Sequence, residues 1–166
     1  MNRPGDSRIT RKLDSSRLNF MVAPSDPPSL TPEFLAPDSR DPDVPLVVVD
    51  GANVVGSVPD GWWRDRAGAA ERLRDRLAAV PAAGLPDVPA PVEVVLVVEG
   101  RARDIARAPG GVRVERASGS GDDKIVDLVR VSAATRRTIV VTADRGLRAR
   151  VTALGAEVRG PSSVPR

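Results

Sequence analysis

Acidic residues stand where the apolar runs of this chain end. Asp50 closes "PLVVVD" and is followed at once by Gly-Ala-Asn. Glu99 follows "VVLVV" and Asp144 follows "IVVTA". The loop "RASGSGDD" delivers Asp122 and Asp123 into a helical pattern. The chain has no histidine and no cysteine. The commonest general base, the usual zinc ligands and a thiolate nucleophile are therefore excluded. Tyrosine is absent too, so chemistry falls to carboxylates, hydroxyls, amides, arginines or backbone. Clustered carboxylates repel one another, and some must take up protons unless a divalent cation removes that cost. All-oxygen donors suit a hard ion such as Mg2+ or Mn2+. Magnesium binds through one or two carboxylates and keeps several waters, which suits it to phosphate. Such an ion polarises a phosphoryl oxygen and lowers the pKa of a bound water. Carboxylates, a hard metal and no histidine together point to metal-assisted hydrolysis of a phosphodiester.

For these acids to act together, the elements between them must bring distant points to one place. Leu46–Val49 and Val92–Val98 are continuous apolar runs, as expected of strands buried on both faces. Val112–Glu115 and Thr138–Thr142 read as further strands, and Ala156–Val158 as a short last one. "DRAGAAERLRDRLAAV", residues 65–80, is an amphipathic helix with Ala69, Leu73, Leu77 and Val80 at helical spacing. "PAAGLPDVPAP" is a proline-rich connection. "GDDKIVDLVRVSAAT" forms a second helix, with Ile125, Leu128 and Val129 on one face. Residues 144–154 form a third, stopped by Gly155. This alternation predicts an α/β fold, a mostly parallel sheet with helices on both faces, joined by right-handed crossovers. Ligands in such sheets bind beyond the carboxyl ends of the strands. Those are the ends that carry Asp50, Glu99 and Asp144.

Each residue also has an ordinary role open to it. Asp122 and Asp123 suit a helix N-terminus, and Asp144 suits the cap of the helix it precedes. Asp50 is harder to explain that way, because a carboxylate ending a fully apolar strand is costly unless paired or metal-bound. Asn53 serves either as a turn residue or as an amide that holds the Asp50 carboxylate or a bound water. Ser118 and Thr142 are hydroxyls able to orient acids or contact phosphate. Gly119 and Gly121 let their loop approach closely. Asp127 lies opposite the apolar face of its helix and reads as a surface acid, within reach of Lys124 or Arg130. Trp62 and Trp63 are the two tryptophans. At least one is expected in the core, and an exposed one could stack on a base.

The formal charge is +3, and all but two of the 25 basic residues are arginine. That is either a solvated surface or a phosphate-binding one, since guanidinium pairs with phosphate bidentately. Arg101, Arg103, Arg145 and Arg148 lie just after the acidic strand ends. No apolar run reaches the roughly 18 residues of a membrane span, and no signal peptide is visible, so a cytoplasmic protein without membrane partners is expected. Residues 1–43 are rich in Pro, Ser and Asp and are expected to be disordered. A single domain then runs over 44–162, with a short tail over 163–166.

The pieces "VVVDGANVVGS", "SGSGDDKIVDLV", "VVTADRGLRARV" and "LGAEVRGPSS" occur in an order and spacing that resembles the NYN domains, a PIN-like group of ribonucleases, and most closely their YacP-like branch. The resemblance covers about Pro45 to Ser162. It implies a PIN-like three-layer sandwich and a Mg2+- or Mn2+-dependent endoribonuclease acting on RNA that is structured or ribosome-associated. By position, Asp50 matches the acid of the family's first strand. Asp122 matches the acid opening the family's acidic helix, Asp123 its neighbour, and Asp144 the acid of the Thr-Ser/Ala-Asp motif. Asn53 matches the frequent amide of the first motif. Glu99 stands where the branch often carries Asp. The implied metal ligands are Asp50, Asp122 and Asp144, with Asp123 and Glu99 as further candidates. Arg101, Arg103, Arg145, Arg148 and Ser118 are candidates for holding RNA. Two other readings are a non-catalytic RNA-binding module of the same fold and a nucleotide phosphohydrolase, although the latter lacks a phosphate-cradling glycine loop.

Overall fold

The computed structural model describes residues 41–106 and 110–166, the side chains of residues 103 and 104 excepted. The expected disorder of residues 1–43 concerns residues that, but for the last three, lie outside those described.

Runs of β-branched residues form β1 (Leu46–Asp50), β2 (Glu93–Val98) and β4 (Thr138–Val141), each buried at every position. Only strands covered on both faces can be apolar throughout. β3 (Val112–Arg116) and β5 (Glu157–Arg159) are the partly exposed edges. The order is β3-β2-β1-β4-β5, and every pair in this five-stranded sheet is parallel. The sheet is thus more uniform than the mostly parallel one predicted.

Strand side chains alternate between the two faces, and the core divides accordingly. Val47, Val49, Leu96, Val98 and Val141 pack with α1 (Gly51–Gly56), α2 (Arg66–Leu77) and α3 (Val80–Ala83). Leu46, Val48, Val95, Val97 and Val140 pack on the other side with α4 (Gly121–Ser132) and α5 (Arg145–Ala153). The result is the three-layer arrangement predicted. The chain moves outward from β1 to β3; α4 then returns it across the opposite face to β4. The direction reverses between β1 and β4, which is where such sheets bind ligands.

The helix predicted over residues 65–80 divides in two. Asp65 caps α2, its Oδ1 accepting from Gly68 N at 2.9 Å, and the helix ends at Leu77. Val80 is buried but belongs to α3, where Pro81 occupies the first turn. Proline lacks the N–H that a helix interior requires, so it is tolerated at a helix start and not mid-helix. The last residues also enter the fold: Val164 is buried in the first core, and Arg166 Nη1 donates to Ser57 Oγ at 3.2 Å. At the opposite edge of the sheet, Glu93 is buried and its Oε2 lies 2.7 Å from Arg136 Nη2, with Arg113 at 3.3 Å from its other oxygen.

Candidate active site

Strand parity decides which face each acid serves. Asp50 shares the face of Leu46 and Val48, Glu99 continues that of Val97, and Thr142 that of Val140. All three therefore lie on the side covered by α4 and α5, at the carboxyl edge.

Asp50 is 6% exposed. It ends β1 and is also the N-cap of a short helix. The spacing explains this: Asp50 Oδ1 accepts from Asn53 N, three residues on, at 3.1 Å. A Cβ on Gly51 would stand 2.6 Å from Val97 O, so glycine lets α1 begin tight against β2. The second oxygen of Asp50 accepts from Thr142 Oγ1 at 2.9 Å, and Thr142 is fully buried. The same hydroxyl accepts from Asp144 N at 3.1 Å. Asn53 does not hold Asp50 with its side chain. Its Oδ1 accepts from Ala143 N at 3.0 Å, while its backbone serves Asp50. Two side chains thus join the ends of β1 and β4 across the point where the strand order reverses.

Asp144 caps α5, its Oδ1 accepting from Leu147 N at 2.7 Å. α4 begins at Gly121, and its cap is Ser120, whose Oγ accepts from Asp122 N at 3.2 Å. Asp122 and Asp123 therefore do not cap the helix; they occupy its first turn, where the helix dipole favours negative charge. Glu99 reaches across from β2 and accepts from Gly121 N. A Cβ on Gly121 would lie 2.9 Å from Glu99 Oε2 and would displace the end of that side chain, so glycine favours this close approach.

Burial pushes the Asp50 carboxyl above the ordinary carboxylate range; the hydrogen bonds from Asn53 and Thr142 pull against this, and Asp122 and Glu99 add to it. Asp122 is raised as well, by burial first and then by Asp144, with Arg150 opposing and Glu99 and Asp123 adding. Asp50, Glu99, Asp122 and Asp144 thus form one electrostatically coupled set. In kind, this donor set fits a hard cation. Asp122 accepts no hydrogen bond among the described residues, and the second lone pairs of Asp50 remain available. Among the described residues, no three acidic side chains stand close enough to hold one ion as they are. One or two carboxylates with water completing the shell is the arrangement magnesium favours.

Asp123 borders this set and is paired with a cation. It is exposed, and its Oδ1 lies 2.7 Å from Arg150 Nη2. Arg150 was not singled out in the sequence; it meets Asp123 only because α4 and α5 pack side by side. Asp127 pairs with Arg130 at 2.7 Å on the surface, as expected, while Lys124 pairs with Glu115 at 3.0 Å. Arg101, Arg145, Arg148 and Ser118 are exposed around the carboxyl edge. The side chain of Arg103 lies outside the described residues. Neither tryptophan enters the core: Trp62 is half-buried and Trp63 is 56% exposed, on a 3-10 turn over Trp62–Arg64.

No family model matches the chain, and no curated protein does. Solved structures do. The crystal structure of Rae1 (YacP) from Bacillus subtilis superposes with a TM-score of 0.57 at 18% identity, covering 71% of this chain and 70% of that one. A single-substitution mutant of the same protein gives a TM-score of 0.58 at 16% identity, covering 72% of each. The YacP-like, PIN-like fold predicted from the motifs is the fold of this chain.

Proposed function

We propose that the protein is a metal-dependent endoribonuclease that hydrolyses RNA phosphodiester bonds at the carboxyl edge of the sheet, using Mg2+ or Mn2+. The observation that carries this reading is a buried, doubly hydrogen-bonded Asp50 that feels the charges of Asp122 and Glu99 at the point where the strand order reverses, with Asp144 acting in turn on Asp122. The YacP-like fold and the motif resemblance to NYN ribonucleases support it.

Asp50 and Asp122 would hold the cation, with Asp144 and Glu99 beside them. A bound divalent ion supplies the positive charge that offsets negative charge building on the phosphoryl and leaving oxygens. Asn53 and Thr142 hold Asp50 in one orientation, so little reorganisation is needed when substrate arrives. Thr142 also positions the backbone of Asp144. Arg150 pairs with Asp123 and adds a positive charge near Asp122. Exposed Arg101, Arg145 and Arg148 offer guanidinium groups to the RNA backbone, contacts that position a strand without reading its sequence.

The test is to incubate structured RNA, and separately nucleoside triphosphates, with Mn2+ and with chelator, comparing wild type with Asp50→Asn and Asp122→Asn. Metal-dependent RNA cleavage by wild type alone is the expected result. Hydrolysis of the triphosphates instead would indicate a nucleotide phosphohydrolase. RNA binding with no cleavage in any metal would leave a binding module. A parallel melt should show Mn2+ raising the Tm of wild type more than that of Asp50→Asn, because a ligand that binds only the native state stabilises it by mass action.

A further inference from the structure

Beside the acidic edge, on the α1/α2 side of the sheet, lies a pocket of about 90 Å³. That is several times the roughly 10–15 Å³ a single water needs. Val55, Ala70, Val98 and Ala102 give it an apolar lining. One wall is the half-buried indole of Trp62, with the Arg66 guanidinium 5.5 Å from its ring centroid. Gly51, Glu99 and Gly100 also line the pocket. Gly51 directly follows Asp50, and Glu99 is coupled to both Asp50 and Asp122. Pocket and carboxylates therefore meet at the ends of β1 and β2, one on each face of the sheet. A ligand that reached both would pair an apolar group, able to lie against an indole, with a phosphate near the carboxylates. A nucleotide has that chemistry. Small residues line the pocket: Gly100, whose φ of +57° is a backbone region that favours glycine, and Ala102, which presents only a methyl group.

Resting on the nuclease reading, we propose that this pocket receives the base of a nucleotide flanking the scissile phosphate, with Trp62 as the stacking surface and Arg66 as its cationic partner. Trp62 is then a specificity-determining residue that binds substrate without touching the reacting atoms. Stacking on aromatic rings is sequence-tolerant, because every base has a π-face. The pocket therefore demands a base free of its stack rather than a particular base.

The sequence provides its own reporter. There is no tyrosine, and Trp62 and Trp63 are the two tryptophans, so in Trp63→Phe the indole emission comes from Trp62 alone. Titrate this variant with a short single-stranded oligodeoxynucleotide, in chelator so that no metal-dependent cleavage occurs, and with the same strand made abasic. Saturable quenching by the first, and binding weakened by about tenfold or more for the second, is the expected result. Ala102→Leu, in the same background and with an unchanged melt, should abolish the quenching by filling the pocket. In the cleavage assay it should raise KM about tenfold with kcat little changed. Equal quenching by both strands, or none by either, overturns the pocket whether or not the protein cleaves RNA. Base-dependent quenching without cleavage keeps the pocket and overturns the nuclease reading.

Discussion

Replacing Thr142 with valine probes the site at its most buried polar contact. Valine keeps the shape and exchanges a hydroxyl for a methyl. The wild-type hydroxyl lies 2.9 Å from Asp50 Oδ2 and 3.1 Å from Asp144 N, in a side chain with no solvent exposure. A hydrogen bond to a charged group contributes about 1.5–3 kcal/mol, and the extra buried methyl returns about 0.8 kcal/mol. The net loss at neutral pH is therefore about 1–2 kcal/mol, or a fall in Tm of about 2–8 °C for a chain of this size. The loss should also depend on pH. Asp50 has a raised folded pKa, so its ionisation costs stability, and Thr142 lowers that cost by donating to the ionised form. Without Thr142 the folded pKa rises further. The gap between wild type and variant is then fully open above the variant's folded pKa, and it narrows as pH falls through that value toward the wild type's. Urea midpoints across a pH series, in chelator, measure this. Thr142→Ser keeps the hydroxyl and should show little pH dependence relative to wild type. A gap that stays constant with pH, or widens toward acid, would refute the argument that Thr142 acts through the charge of Asp50.

Asp50→Asn should abolish cleavage, yet in chelator it should melt no lower than wild type at neutral pH. It removes a buried charge and its repulsion by Asp122 and Glu99. Because that carboxyl is raised, wild-type stability falls as pH climbs from the ordinary carboxylate range through the folded pKa; the variant should lose that fall, as melts at several pH values would reveal. At the far edge, Arg136→Ala leaves buried Glu93 with only its 3.3 Å contact to Arg113. A loss of about 3 kcal/mol in urea unfolding is expected. The double variant Glu93→Gln/Arg136→Met should lose less, since no charge is then left buried without its partner.

Several features were legible because local pattern leaves them one interpretation. A run such as "LVVV" is too apolar to face water on either side, so β1 and β2 could only be buried strands of a parallel sheet. Acids following such runs were visible as strand-end acids from spacing alone. The helix over 121–132 announced itself through Ile125 and Val129 at helical spacing. What remained hidden depends on contacts between distant residues. Asn53 was expected at the Asp50 carboxylate, but its side chain reaches Ala143, 90 positions on. Thr142 was one hydroxyl among several until the pairing of β1 with β4 set it against Asp50. Asp123 looked equivalent to Asp122; the packing of α4 on α5 gives it Arg150 instead. At least one tryptophan was expected in the core because large aromatic area favours burial, but aliphatic side chains fill both cores and Trp62 lines a pocket instead.

By itself, then, the amino-acid sequence determined the elements, the parallel sheet and the set of residue types from which any chemistry must be drawn. Periodicity of two or 3.6 residues, and the absence of histidine and cysteine, are properties of neighbouring positions and of composition, and need no knowledge of the fold. The tertiary structure alone decided which acids share a charge environment, which hydroxyl serves Asp50, and that a pocket opens on the other face of the same edge. Those outcomes depend on strand order and helix packing, which bring together groups separated by up to about a hundred residues. Desolvation and like-charge repulsion act only at such distances in space, so only there does Asp50 acquire its raised pKa.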